Sequence, residues 1–233
     1  MAYIEFKNVC KEYDNKEKKI KILKNVSFNI EKGEFVIITG PSSSEKTSIL
    51  NILNGNIKLD SGEVLIDNTL INKLSERKLK KYKRENISFL CKDDVLLKNL
   101  TIQENIELGA LVSKDPLNID EIIKKIGLTK KKDEFYYNLS LDEQKKVSLA
   151  MKIIKNSNVF LADEIIESLE LKSKIQILKL LKSLCKKDKK IVIITTNDDS
   201  IFPIANKIIK IKNGSLTNMI INKKPKAIGD LKC

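Results

Sequence analysis

Val36-Ile37-Ile38-Thr39-Gly40-Pro41-Ser42-Ser43-Ser44-Glu45-Lys46-Thr47-Ser48-Ile49-Leu50-Asn51-Ile52-Leu53 limits what this chain can fold into more than any other stretch. A β-branched apolar run ends at Gly-Pro and crosses a short polar loop. It reopens at Lys46-Thr47-Ser48 as a helix with apolar residues at Ile49, Leu50, Ile52 and Leu53. Strand, loop and helix in that order aim backbone N–H groups and the positive end of a helix dipole at one spot. Lys46 adds a full positive charge there, and Thr47 a hydroxyl suited to holding Mg²⁺. Gly40, Pro41, Ser42, Ser43, Ser44, Glu45, Lys46, Thr47 and Ser48 therefore read as a phosphate-binding loop.

The pattern G-x-x-x-x-G-K-[ST] is met except at its second glycine, which is Glu45. Glutamate adds a Cβ where glycine gives conformational freedom, and a negative charge where a phosphate would sit. A carboxylate ~6 Å from a phosphate charge at an effective dielectric of ~20 is repelled by roughly 3 kcal/mol. That weakens binding about a hundredfold unless the side chain swings into solvent, in which case only backbone strain remains.

Lys and Arg number 44 against 31 Asp and Glu, with no His, for a net charge of +13. Such a chain favours anionic partners, namely nucleotide phosphates, nucleic acid or acidic lipid headgroups. The lysines are spread over almost every helix, which fits a solvated surface, though Lys78-Leu79-Lys80-Lys81-Tyr82-Lys83-Arg84 is a candidate for membrane-surface contact. Cys10, Cys91, Cys185 and Cys233 are far apart and include no C-x-x-C pair, so reduced thiols are expected rather than a zinc site or disulfides. Nothing reads as a signal peptide and no apolar run reaches the ~18–20 residues that cross a bilayer, so a soluble chain is expected.

In chain order, residues 3–9 alternate as a half-buried strand, 11–17 read as a polar turn and 20–30 as further strand, making a β-rich amino-terminal layer. Short strands follow at 64–67 and 87–90, with a basic helix over 74–84 between them. Residues 92–137 read as a mostly helical insertion. Ser140 and Glu143 fit a capping box that starts a helix. Val159-Phe160-Leu161-Ala162-Asp163-Glu164 is an apolar run closed by two carboxylates, as in a buried parallel strand whose carboxyl end faces a site. A helix over about 171–184 leads to a second such strand at 191–198, and a hairpin closes the chain at 208–221. Buried runs alternating with helices predict an α/β fold with helices on both faces of a sheet.

In nucleoside triphosphatases with this loop, an acid at the end of a second buried strand holds Mg²⁺ opposite the loop hydroxyl, a part that suits Asp163. Glu164 beside it is placed to polarise a water for attack on the terminal phosphate.

These landmarks, in this order and spacing, resemble the ATP-binding subunit of ABC transporters of the lipoprotein-release and macrolide-export type. The likeness runs from Ile4-Glu5-Phe6-Lys7-Asn8-Val9 to Asn213-Gly214. It implies a P-loop nucleoside triphosphatase fold with an antiparallel β layer, a parallel core sheet and a helical subdomain, forming one domain over 1–233. Residues 92–137, extending to about 155, form the subdomain in this reading. It implies ATP and Mg²⁺ as ligands, with Thr47 and Asp163 on the metal and Tyr13 stacked on adenine. It makes Ser140, Leu141, Asp142 and Glu143 the signature loop facing the ATP of a second subunit, and Ser168-Leu169-Glu170 the segment through which the two subunits communicate. Glu164, Lys92 and Asn197 fall on catalytic positions.

Several positions depart from the family's pattern. The signature L-S-G-G-[EQ]-Q is here Leu139-Ser140-Leu141-Asp142-Glu143-Gln144, which places a carboxylate near the facing phosphate. Lys92 replaces a glutamine, Ile165-Ile166-Glu167 replaces P-T-G, and Asn197 replaces a histidine, able to donate a hydrogen bond but not to gain a proton near neutral pH. The resemblance thus implies an ABC-type ATPase with an impaired site, whose hydrolysis is weak or depends on a partner. Its partners would be a membrane permease and a second ATP-binding subunit, in a homodimer or in a heterodimer with a normal one. The chain would lie in the cytoplasm, peripheral on the inner face of the membrane. Two other readings stay open. One is a non-hydrolytic scaffold at the membrane; the other is a basic nucleic-acid-associated ATPase, disfavoured because aromatics are only 5% of the chain and no nucleic-acid partner is expected.

Overall fold

The computed structural model describes residues 2–15, 18–91, 96–167 and 169–230. The amino-terminal alternation forms β1 (Ile4–Asn15), which pairs antiparallel with β2 (Lys18–Ile30). The polar stretch read as a turn from residue 11 instead continues β1 to Asn15, because its residues find partners on β2 from Lys11↔Leu23 to Asn15↔Lys18. The chain then enters β3 (Phe35–Thr39), α1 (Ser43–Leu53), β4 (Ser61–Ile66), β5 (Thr69–Leu70), α2 (Glu76–Asn86) and β6 (Ile87–Leu90). Helices α3 (Ile102–Leu111) and α4 (Ile119–Lys125) follow, then α5 (Leu141–Ile153), β7 (Val159–Asp163), α6 (Leu171–Asp188), β8 (Ile191–Thr195), β9 (Lys207–Lys212) and β10 (Ser215–Ile221).

Two sheets result. One has four strands in the order β2-β1-β4-β5, antiparallel throughout. The other has six, in the order β10-β9-β3-β8-β7-β6, parallel except for the edge strand β10. Residues Phe35 to Ile38 of β3 are all fully buried, as expected for a central parallel strand covered on both faces. Because side chains alternate along a strand, Phe35 and Ile37 join a core with α3, α5 and α6. Val36 and Ile38 join a second core, where α1 lies between the two sheets. Each isoleucine so buried contributes about 1.5–3 kcal/mol, and it is this layering that brings the carboxyl ends of β3, β7 and β8 together. Among the described residues, no helix is long and apolar enough to cross a membrane.

Candidate functional site

Gly40 follows β3 and presses on β9 so closely that a Cβ there would lie 2.1 Å from the Ile211 carbonyl oxygen. Helix α1 begins at Ser43, earlier than the expected start at Lys46, so most of the polar loop is the first turn of the helix. Ser42 stands at the N-cap with extended backbone and makes no side-chain cap, while its hydroxyl bonds to Ser44 at 2.8 Å. The first-turn N–H groups therefore receive nothing from Ser42, which suits a bound anion.

Lys46 is completely buried. Its Nζ donates to the Gly40 carbonyl at 2.9 Å and to Asn197 Oδ1 at 3.0 Å, and pairs with Glu164 Oε1 at 3.4 Å. Those three acceptors match the three N–H bonds of an ammonium. Across the cleft, Thr47 Oγ1 donates to Asp163 Oδ2 at 2.7 Å, and Thr195 Oγ1 donates to Asp163 Oδ1 at 2.6 Å. The hydroxyl of Thr195 also accepts the Glu164 N–H at 2.9 Å. Glu164 has φ 50, a left-handed conformation that costs a non-glycine residue roughly 1–2 kcal/mol; this turn leaves its carboxylate against Lys46. One carboxylate and one hydroxyl, on two elements, are hard oxygen donors of the kind Mg²⁺ takes from a protein when phosphate and water complete its shell. The residues present fit that ion.

The expectation for Glu45 is overturned. Its carboxylate lies neither over the loop nor in solvent; Oε1 accepts the Gly214 N–H at 2.6 Å inside the protein, and Oε2 is buried without a hydrogen-bond partner. The expected backbone strain is absent too, since Glu45 lies in α1 and is not among the residues at positive φ. Asn197 engages the loop through its oxygen: Oδ1 accepts from Lys46 Nζ, from the Gly40 N–H at 3.4 Å and from Thr39 Oγ1 at 3.5 Å.

Ser140 caps α5 as its motif predicts, accepting from the Glu143 N–H at 3.3 Å while Glu143 Oε2 accepts the Ser140 N–H at 3.0 Å. Burial pushes the Glu143 carboxyl up, but an ion pair with Lys131 at 2.9 Å and the Ser140 bond outweigh it and hold the acid below its ordinary value. Leu141 is exposed. Asp142, expected to face a second subunit, is satisfied within its own chain. It accepts from the Ser173 hydroxyl and from the Glu170 N–H at 3.4 Å, and pairs with Lys146 at 3.3 Å. Glu170 caps α6 with no side-chain bond of its own, so Asp142 caps that helix from outside.

Tyr13 lies partly exposed on β1 with the Lys11 ammonium 5.5 Å from its ring centre. Pro41 and Ser48 sit with the rest of the loop, before and within α1. Lys92 and Ser168 lie outside the described residues. Two participants escaped the sequence reading. Thr195 holds Asp163, and Glu167 Oε1 accepts the Asn197 N–H at 3.1 Å and Thr196 Oγ1 at 3.5 Å. The polar end of β8 was the available signal for Thr195, because its register sets Thr195 opposite Asp163.

A parallel sheet whose central strand runs through a lysine-bearing loop into a helix, with an acid on a neighbouring strand facing the loop hydroxyl, defines a phosphate-loop nucleoside triphosphatase fold. The family described as "ABC transporter" matches residues 23–167. This chain belongs to that family, as an ATP-binding cassette. It superimposes with a TM-score of 0.85 and 33% identity on a dimeric ATP-binding cassette, MJ0796, solved in a post-hydrolysis state with ADP and phosphate; the match covers 94% of this chain and 98% of that one. MJ0796 is a protein of Methanocaldococcus jannaschii. The chain is 31% identical to the bacitracin export ATP-binding protein BceA of Halalkalibacterium halodurans over 93% of its own length and 87% of that protein's. It is also 31% identical to the putative ABC transporter ATP-binding protein MG065 of Mycoplasma genitalium over 98% of its length, but spans only 50% of that protein.

Proposed function

We propose that this chain binds Mg-ATP and couples it to a membrane permease as the ATP-binding subunit of an ABC transporter, with hydrolysis that is slow or depends on a partner. The chain acts as one ABC-type domain, with residues 92–137, extending to about 155, as the helical subdomain. The observation that carries the reading is the pair formed by Thr47 and Asp163, 2.7 Å apart, beside a buried Lys46 at the carboxyl ends of β3 and β7. Lys46, the first-turn N–H groups of α1 and Ser48 would hold the phosphates, and Thr47 and Asp163 the metal. Bound Mg²⁺ would supply charge neutralisation on the phosphate oxygens. Glu164 would orient water and Asn197 would assist it, Lys92 being a catalytic position by resemblance alone, and Tyr13 would carry the base.

The impaired turnover follows from chemistry: Asn197 offers an amide where the family resemblance expects an imidazole, and its oxygen is taken up by Lys46. Ser140, Leu141, Asp142 and Glu143 would face the ATP of a second ATP-binding subunit. That partner is either another copy or a chain with an intact signature, and the assembly would sit on the inner face of the membrane. The test is calorimetric titration of Mg-ATP into the protein and into Lys46→Ala, with phosphate release followed alone and with a candidate partner. Saturable binding lost in Lys46→Ala supports the reading, whereas fast turnover by the lone protein refutes the impairment.

A further inference from the structure

Glu45 and Gly214 are 169 positions apart in the chain, yet a 2.6 Å hydrogen bond joins them in the interior. The carbonyl of Gly214 is used as well, accepting the Lys24 N–H of β2 at 2.7 Å. Gly214 has φ +79, and a Cβ there would lie 2.8 Å from the Ile22 carbonyl oxygen, so the β9–β10 turn meets β2 backbone to backbone. Ile211, the residue that Gly40 presses on, lies near the end of β9, just before the same turn. The phosphate loop is thus fastened to one hairpin at both ends, by close contact at Gly40 and by a side chain at Glu45.

We propose that Glu45 is a positioning residue for the phosphate loop: its carboxylate clamps the start of α1 to the β9–β10 turn, so that the first-turn N–H groups and Lys46 keep their aim. The proposal rests on the reading of the loop as a nucleotide site. It also reverses what the motif suggests, because restoring the glycine removes the clamp. A buried oxygen with no donor, Glu45 Oε2, is unfavourable by itself. The bond made by Oε1 and the order it gives the loop offset that cost.

The experiment titrates Mg-ATP calorimetrically into the unaltered protein and into Glu45→Gly, Glu45→Ala and Glu45→Gln, and measures hydrogen exchange of the Gly214 amide in each without nucleotide. Glu45→Gly and Glu45→Ala are expected to speed Gly214 exchange and weaken Mg-ATP binding, each about tenfold. Glu45→Gln keeps an acceptor for Gly214 while removing the charge, and is expected to hold affinity within about twofold. Tighter binding in both Glu45→Gly and Glu45→Gln would overturn the proposal in favour of charge repulsion. Unchanged exchange at Gly214 would overturn the clamp, and faster exchange with unchanged affinity would overturn its positioning role. Lys46→Ala is titrated in parallel. If it binds Mg-ATP as the unaltered protein does, or if neither binds, the nucleotide reading falls and the positioning role with it, while Gly214 exchange still reports whether the clamp exists.

Discussion

Glu45 and Asp142 are both carboxylates at positions where the family resemblance expects glycine, one in the phosphate loop and one in the signature segment. Glu45 is buried, holds a single backbone N–H and leaves its second oxygen without a donor. Asp142 is partly exposed and engages the Glu170 N–H, the Ser173 hydroxyl and the Lys146 ammonium. The first ties a loop to a distant hairpin, and the second caps a helix. An acid in an anion-binding motif can be turned onto the protein's own donors, and the number of those donors decides how firmly it is held.

The comparison breaks most visibly through Lys46, which belongs to the phosphate loop alone. Lys46→Ala removes a charge-assisted contact worth about 2–3 kcal/mol, so Mg-ATP affinity should fall by about thirtyfold to 150-fold in calorimetry. Asp142→Ala should instead leave nucleotide binding by the lone subunit unchanged and lower stability in urea by about 1–2 kcal/mol, the cost of uncapping α6. Asp142→Asn keeps the acceptor and drops only the charge, so it should cost less than half as much. A loss as large as that of Asp142→Ala would show that Lys146, not the cap, dominates.

The smallest effect is one of pH. Glu143 is held below its ordinary value of 4.5 in the folded chain, so its contribution is fully present above pH 4.5 and fades as pH falls through the folded value. Urea titrations below pH 4.5 should show a shallower acid decline in Glu143→Gln than in the unaltered protein, and identical slopes would remove Glu143 from the account.

Local pattern made much of this molecule legible. The strand at 87–90 matches β6, and Ser140 with Glu143 forms the box its spacing predicts, because both depend on neighbours within a few residues. The start of α1 was missed because Ser42-Ser43-Ser44 reads equally as loop or helix start, and in this chain the serines lead straight into helical backbone. Thr195 was missed because a β-branched residue at the end of an apolar run reads as strand, although its hydroxyl holds Asp163.

The amino-acid order by itself determined that an apolar strand would run into a lysine-bearing loop and helix, that a second strand would end in acids, and that the assembly would be α/β. Apolar periodicity and loop chemistry are local, so they are written in consecutive residues. Only the tertiary structure decided where the carboxylates at 45 and 142 point. Their donors, Gly214 and the first turn of α6, are distant along the chain, and nothing but the packing of the sheets and helices brings them within hydrogen-bond reach.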